Sequence, residues 1–245
     1  MCFLIELAHR WYDRPQSFRV ASGVGIVSGL IVLLRTPNVL FLLIVPLLGI
    51  VTWRSARARL VVWRRVWLRI LAMVGSALAV FSLQMLVWHV ATGRWIINSY
   101  APSGLTFDFL HPHVLDALFS FDPHGLFPYA PMALIAVLGL PFLHRSASQL
   151  VLPLIVVVLL DLLLISSWGS WWYGAGYGDR GFIDAFPLLA FPVAGVFSRT
   201  PDRLRVLATT GGAALMVLVF VQTVRYWYFA YDVGGASVRQ FFFGG

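Results

Sequence analysis

Residues 66–91 have the sequence VWLRILAMVGSALAVFSLQMLVWHVA and follow the arginine-rich segment WRSARARLVVWRR of residues 53–65. An apolar run of this length matches the roughly 20 residues that an α-helix needs to cross a hydrocarbon core about 30 Å thick. The core offers no water to backbone N–H and C=O groups, so a single segment that crosses it has to be helical. The run therefore predicts a transmembrane helix that begins at a basic, water-exposed segment.

The rest of the chain has the same apolar character. Of its 245 residues, 60% are hydrophobic and 11% are charged, and the mean hydropathy is +0.83. A soluble domain usually carries about 25% charged residues, which form its polar shell. We therefore expect one all-α transmembrane domain over residues 1–245, a polytopic helix bundle of about seven spans. The apolar runs place these spans near residues 18–34, 39–53, 66–91, 127–143, 150–168, 182–197 and 206–228.

The arginines predict the orientation of these spans. All eighteen basic residues are arginine. With the N-terminus in the cytoplasm, thirteen of them lie at or near the inner segments and five on the outer side, as the positive-inside rule requires. The inner segments are then 1–17, 54–65, 144–149 and 198–205. We therefore expect a multi-pass protein of a bacterial inner (plasma) membrane, with loops 92–126 and 169–181 on the non-cytoplasmic side.

Several function classes are disfavoured by the same features. The net charge of +8 comes from short arginine clusters between apolar runs, so it indicates topology rather than nucleic-acid binding. Cys2 is the single cysteine, which excludes an intrachain disulfide. The sequence contains no cofactor fingerprint, so no cofactor is expected. The apolar start at Met1 favours a chain that begins inside a longer membrane protein.

The outer loops contain the candidate substrate-binding residues. Loop 92–126 is rich in glycine, proline and aromatic residues, and its stretch 111–119 predicts a short helix along the membrane interface. Loop 169–181 combines five glycines with four aromatic side chains, which indicates unusual backbone dihedrals or close approach to a ligand. The candidate substrate-cavity residues are Tyr100, Asp108, Trp172, Tyr177, Asp179 and Asp184.

Two arginines at outer positions are candidate phosphate ligands. Arg35 follows an apolar run, where it either reaches the headgroups of the surrounding lipid or binds a phosphate with its planar donor fork. Arg180 either pairs with Asp179 to anchor its loop or provides a second phosphate or sugar contact. Asp161 lies within an apolar span, where we expect a hydrogen bond to Gln84 or His89 of another helix.

The histidines of the long loop permit a second interpretation. His111, His113 and His124 lie near Asp108, Asp116 and Asp122, and His-x-His spacing is compatible with metal ligation. The same spacing is frequent by chance, and a structural metal needs about four well-placed ligands. No metal site is therefore predicted, and no Ser-His-Asp signature is present.

A series of short stretches resembles a family of bacterial membrane proteins, the GT-C glycosyltransferases of the protein mannosyltransferase-like or RgtA/B/C/D-like kind. The resemblance covers nearly the whole chain and is moderately specific as a series. Its pieces are Leu33–Asn38, Gln84 with Trp88 and Thr92-Gly93, Ser99-Tyr100, Phe107 to Pro112, Leu118 to Pro131, and Trp171 to Pro192.

The resemblance implies inverting transfer of a sugar from a polyprenyl-phosphate-linked donor to an unknown acceptor outside the cytoplasm. By position, Arg35 resembles the basic residue of the family that contacts the donor phosphate, and Arg180 is expected to be a second one. The family carries its catalytic carboxylate in the first outer loop, whereas residues 35–38 contain no acid. The chain therefore resembles the C-terminal half of such a protein, and no catalytic residue is assigned.

The long-loop acids are predicted not to replace the missing base. Asp116 fits the polar side of the interfacial helix, and Asp122 fits a turn. Asp108 is the best remaining candidate, because Phe107 and Phe109 are expected to desolvate it and raise its pKa. The alternative to an enzyme is a non-catalytic membrane subunit or lipid-binding protein. A transporter is disfavoured because the sequence has no inverted repeat.

Overall fold

The computed structural model is built from helices and connecting loops. It describes residues 1–97, 106–121, 124–172, 178 and 180–229, with side chains up to Tyr226 in the last helix. The chain divides into two compact units. Unit 1 consists of Met1–Gly104 and Ala147–Leu160, and unit 2 consists of Leu105–Ser146 and Asp161–Gly245.

Ten α-helices and two 3-10 helices make up the described part of the chain. The α-helices are α1 Cys2–Asp13, α2 Phe18–Leu34, α3 Ile44–Leu47, α4 Trp53–Arg65, α5 Trp67–Thr92, α6 Val114–Phe119, α7 Leu126–Tyr129, α8 Pro131–Ser166, α9 Phe186–Arg199 and α10 Asp202–Phe229. The 3-10 helices are Thr36–Leu43 and Arg180–Asp184. Among the described residues, three helices are long and apolar enough to cross a membrane: Trp67–Thr92, Pro131–Ser166 and Asp202–Tyr226.

Some sequence-predicted spans match these helices and others do not. The spans 18–34, 66–91 and 206–228 correspond to α2, α5 and α10. The span 39–53 is not one helix, because a 3-10 helix passes into the short α3 and the helix then ends. The helix ends after Leu47 because Leu48 leaves the helical region with ψ of 126° and Gly49 then turns the chain with φ of 79°. Seven spans with the N-terminus inside therefore stay a prediction.

The predicted inner loop 144–149 is a kink rather than a loop. α8 covers both predicted spans on either side of it, and the helix is interrupted at Ala147, where φ is −148° and ψ is 60°. One of the boundaries between the two units falls at this residue. The predicted span 182–197 is likewise shorter as an α-helix, since the 3-10 helix Arg180–Asp184 precedes α9.

Close contact between two backbones organises unit 1. Gly25 and Gly29 lie one turn apart on the buried face of α2. A Cβ on Gly25 would overlap the carbonyl oxygen of Met73, and one on Gly29 would lie 2.7 Å from the carbonyl oxygen of Ala77. Glycines at this spacing allow apolar helices to pack backbone to backbone, which is typical of helix pairs in membranes. This contact joins α2 to α5.

Glycines play the same part in unit 2. A Cβ on Gly139 of α8 would overlap the carbonyl oxygen of Pro192 in α9, and one on Gly212 of α10 would lie 2.9 Å from the ring of Phe197. The helices α8, α9 and α10 are therefore packed through small residues as well.

A turn after α3 holds an arginine in unit 1. Gly49 has φ of 79° and donates its N–H to the carbonyl oxygen of Gln149 at 3.1 Å. The guanidinium of Arg59 lies against this glycine, and its Cζ is 3.2 Å from the centre of the Tyr12 ring. The Tyr12 hydroxyl donates to the carbonyl oxygen of Val45 at 2.6 Å. These contacts link α1, α3 and α4.

Alanine at position 49 is expected to displace Arg59 from the Tyr12 ring, because its Cβ would occupy the position of the guanidinium. Gly93 also has positive φ, at 75°, but nothing lies within 4 Å of its Cβ position. Gly93→Ala therefore measures the backbone strain alone, about 1 kcal/mol. Gly49→Ala is expected to cost about 1 kcal/mol more, the value of a cation–π contact. Thermal unfolding in detergent measures both, and an Arg59→Gln background should remove the difference.

Candidate functional site

The two sequence-predicted outer loops meet in unit 2, at the end of α8. Residues 106–121 of the first loop run against the residues that follow the helix. Three backbone hydrogen bonds join them: Asp108 N–H to Ser167 O at 2.7 Å, His113 N–H to Ser166 O at 2.8 Å, and Gly169 N–H to Thr106 O at 3.0 Å. Phe107 and Trp168 also form an isolated antiparallel bridge. The helix end therefore fixes the position of the loop.

Asp108 lies at the start of a turn, and the shift of its pKa is opposite to the one predicted from the sequence. Its carboxylate accepts the N–H groups of Leu110 at 3.0 Å and His111 at 3.1 Å, and the Nδ1 of His111 lies 3.2 Å away. The His111 side chain and these N–H groups hold the pKa of this exposed carboxyl below its usual range. Phe107 and Phe109 stack on each other with ring centres 5.7 Å apart, and Asp108 is exposed. The expected rise in pKa is therefore wrong.

The short helix expected within residues 111–119 is present as α6. His113 precedes it, and its Nδ1 lies 3.2 Å from the Asp116 carboxylate in the first turn. Leu115 and Phe119 are exposed, as a helix lying in a membrane interface requires. In the part of the chain that the structure describes, no group of three or more His, Cys, Asp or Glu side chains is arranged to hold a metal ion.

Tryptophans form an aromatic surface next to this loop. The ring of Trp171 stacks with that of His113, with centres 6.2 Å apart, and Trp172 meets Trp171 edge-on at 5.9 Å. Trp168 is buried and packs against Phe107 at 4.8 Å. Trp172 stays 41% exposed. The ring of the candidate cavity residue Trp172 is therefore partly exposed to solvent or ligand, while Trp171 packs against its other side.

Arg180 begins the 3-10 helix Arg180–Asp184 and its side chain is exposed. Its N–H donates to the carbonyl oxygen of Gly178 at 2.9 Å. Gly178 packs against Tyr129, whose Cβ would lie 3.4 Å from a Cβ at the glycine. The Tyr129 hydroxyl donates to the carbonyl oxygen of Phe121, the last described residue of the first loop segment. Tyr129 therefore connects the loop that carries Asp108 to the segment that carries Arg180.

The electrostatic surroundings of Arg180 include α10. The positively charged guanidinium of Arg180 interacts electrostatically with the hydroxyl group of Tyr226. Tyr226 is buried near the end of α10. Asp184 is half-buried at the end of the same 3-10 helix, within the segment 182–197 that the sequence predicts as a membrane span. Neither Tyr129 nor Tyr226 is predicted from the sequence as a site residue, because both are far from Arg180 along the chain.

Arg35 lies in unit 1. It is half-buried directly after α2 in extended conformation, and its carbonyl oxygen accepts the N–H of Asn38 at 2.9 Å. A cation at this position interacts favourably with the C-terminal end of the helix dipole. Because Arg35 and Arg180 belong to different units, their shared phosphate site stays a prediction.

The remaining candidates are distributed as follows. Tyr100, Tyr177, Asp179 and Asp122 lie outside the described residues. Asp161 is buried in unit 2, while its suggested partners Gln84 and His89 belong to unit 1. The His89 ring stacks on Trp95 with centres 4.0 Å apart.

In unit 2, contacts between side chains and backbone of the same chain hold the candidate site together. It combines an exposed arginine and an exposed tryptophan of the second outer loop with a tyrosine that joins this loop to the first one. No family model matches the chain, and neither a curated protein nor a solved structure matches it.

Proposed function

We propose that this chain is a multi-pass plasma-membrane protein that binds a polyprenyl-phosphate-linked sugar on the non-cytoplasmic side, as part of a GT-C-type glycosyltransferase. The observation that carries the proposal is the connection through Tyr129. Its hydroxyl holds Phe121 in the loop of Asp108, and its Cβ packs against Gly178, two residues before Arg180. A cation and aromatic rings on connected loops suit a ligand that has both a phosphate and a sugar.

The chemistry of Arg180 suits a lipid phosphate. A guanidinium offers parallel N–H donors that match two phosphate oxygens, and such charge-assisted bonds are stronger than neutral ones. The side chain is exposed at the start of the 3-10 helix that precedes α9. A sugar beyond the phosphate would meet the exposed ring of Trp172, while the polyprenyl chain would stay in the bilayer.

Contacts within the two units support the proposed topology. The segments expected inside, 1–17 and 54–65, meet through Tyr12 and Arg59 in unit 1. The loops expected outside, 92–126 and 169–181, meet through the hydrogen bonds at the end of α8 in unit 2. Seven alternating spans bring the members of each pair to one side of the membrane.

A non-catalytic lipid-binding subunit is the second candidate. A general base works best when its pKa lies near the operating pH, and hydrogen bonds hold the pKa of Asp108 below its ordinary value. Asp108 is therefore a poor base, and the proposal assigns to this chain the binding of the donor and no proton transfer.

Loss of the cation at position 180 is expected to weaken binding of polyprenyl monophosphate by about tenfold or more. The measurement is a titration of the full chain, purified in detergent, with Arg180→Gln compared to Arg203→Gln. Arg203 is also exposed in unit 2 but lies in an expected inner segment, so it serves as the control with the same change of charge. Equal affinities for wild type and Arg180→Gln would remove the basis of the proposal.

Sugar transfer distinguishes the two candidates. The purified chain is supplied with a polyprenyl-phosphate sugar and mixed membrane acceptors. Binding without transfer supports the non-catalytic subunit. Transfer supports the enzyme, and its abolition by Asp108→Asn would show that Asp108 is the base after all.

A further inference from the structure

Contacts with α1 determine which face of helix α4 points toward the rest of unit 1. A capping box begins α4, since Thr52 and Ser55 exchange side-chain and backbone hydrogen bonds. Arg59 then lies over the ring of Tyr12 at 3.2 Å, and Trp63 packs against Trp11 with ring centres 6.4 Å apart. Arg59 and Trp63 are four positions apart, so they lie on the same face of α4.

The other faces of α4 are exposed and combine two kinds of side chain. Trp53, Leu60 and Val61 are large and apolar, with exposed fractions of 72%, 59% and 48%. The arginines interleaved with them are exposed too: Arg54, Arg57, Arg64 and Arg65. The guanidinium of Arg57 lies 5.4 Å from the centre of the Trp53 ring. A surface of this composition suits neither bulk water nor hydrocarbon, and it matches the headgroup layer between them.

Among the described residues, the arginines of α4 form no ion pair with an acidic side chain. The sequence contains no Asp or Glu between Asp13 and Asp108. Arg205, in contrast, pairs with Asp202 at 2.8 Å. The exposed cations of α4 are therefore not neutralised by carboxylates of the described residues and can attract anions from outside the chain.

We propose that the exposed face of α4 (Trp53, Arg54, Arg57, Leu60, Val61, Arg64 and Arg65) binds the headgroups of anionic phospholipids. Only Val66 separates α4 from α5, a helix able to cross the membrane, so α4 lies at the surface where headgroups are found. Arginine clusters next to a spanning helix attract anionic lipid through charge, and the interleaved apolar side chains enter the acyl boundary. This binding is independent of the donor site proposed in unit 2.

The test measures lipid selectivity of the full chain in phosphatidylcholine bilayers. Spin-labelled phosphatidylglycerol and phosphatidylcholine report the fraction of each lipid held at the protein surface. In the triple variant Arg54→Gln/Arg57→Gln/Arg64→Gln, the selectivity for phosphatidylglycerol over phosphatidylcholine is expected to fall by about fivefold or more. The variant Arg199→Gln/Arg203→Gln/Arg205→Gln has the same change of charge and should keep most of it.

Two further arms keep the proposal open to failure. Replacing the three α4 arginines by lysine should preserve the selectivity, since lipid attraction depends on charge rather than on the guanidinium fork. For the wild type, raising the salt from 0.1 M to 1 M shortens the Debye length from about 10 Å to about 3 Å and should abolish selectivity. Unchanged selectivity in the glutamine variant, an equal loss in the control variant, or persistence in 1 M salt would overturn the proposal.

Discussion

Alanine at position 25 is expected to destabilise the protein by about 2–3 kcal/mol, and leucine there is expected to prevent α2 and α5 from packing. A Cβ on Gly25 would overlap the carbonyl oxygen of Met73 and lie 2.9 Å from the Cβ of Ser76. The carbonyl belongs to the backbone, so it cannot rotate away, and the two helices have to separate. Separation weakens the dispersion contacts along the whole helix pair, which are the main attraction between apolar helices in a bilayer.

Gly75→Ala is the matched control for this prediction. Gly75 lies on α5, and nothing comes within 4 Å of its Cβ position. Alanine there should be neutral or stabilising by up to about 1 kcal/mol, because it has the higher helix propensity. Thermal unfolding of each purified variant, followed by circular dichroism in detergent, compares them. Equal stability of Gly25→Ala and Gly75→Ala would show that the backbones of α2 and α5 are not in contact.

The helix bounds that could be predicted are those with local signals. Residues 18–34 became α2 as expected, and Ser17 caps its start by accepting the N–H of Val20. Such a cap, and a Thr-Pro pair after the last residue, are visible in the sequence. Hydropathy alone does not show where an apolar run ceases to be helical: in residues 39–53 the helix ends after Leu47, before the turn at Gly49.

The kink in α8 shows a different limit. Arginine and polar residues at 144–149 indicated a loop, but a single non-helical residue, Ala147, is sufficient to interrupt the helix. The sequence provides the end of each apolar run, whereas the backbone geometry between two runs depends on packing of the flanking helices. Packing of that kind has no local pattern.

The candidate site was predictable in its location and not in its chemistry. Charge placement put loops 92–126 and 169–181 on one side, and their described parts are hydrogen-bonded to each other. The expected desolvation of Asp108 failed because neighbours in sequence need not be neighbours in space: backbone N–H groups surround the carboxylate instead of the two phenyl rings. The link through Tyr129 depends on tertiary contacts that no single sequence reveals.

A cysteine at Ala58 is expected to be protected from a membrane-impermeant maleimide in spheroplasts, whereas a cysteine at Leu110 is expected to be labelled. Both positions are exposed, Leu110 by 86%, and both lack charge, so the variants leave the arginine distribution unchanged. Cys2→Ser provides the background, since Cys2 is an exposed free thiol. Permeabilising the membrane should make the Ala58→Cys variant react, which shows that its thiol is accessible.

The expected difference is all or none because the bilayer, not the protein, determines which thiol the reagent reaches. Contacts of α4 with α1 keep position 58 together with the N-terminal segment, and the hydrogen bonds at the end of α8 keep position 110 together with the loop after it. Labelling at position 58 therefore reports the side of the membrane on which both α1 and α4 lie. Labelling at position 110 reports the side on which both outer loops lie. Between them lies α5, a helix able to cross the membrane. If α5 spans the membrane, the two thiols must differ, and equal labelling would show that it does not. Labelling of the Ala58→Cys variant alone would show that the proposed orientation is inverted, which would place Arg180 and the donor site inside the cell.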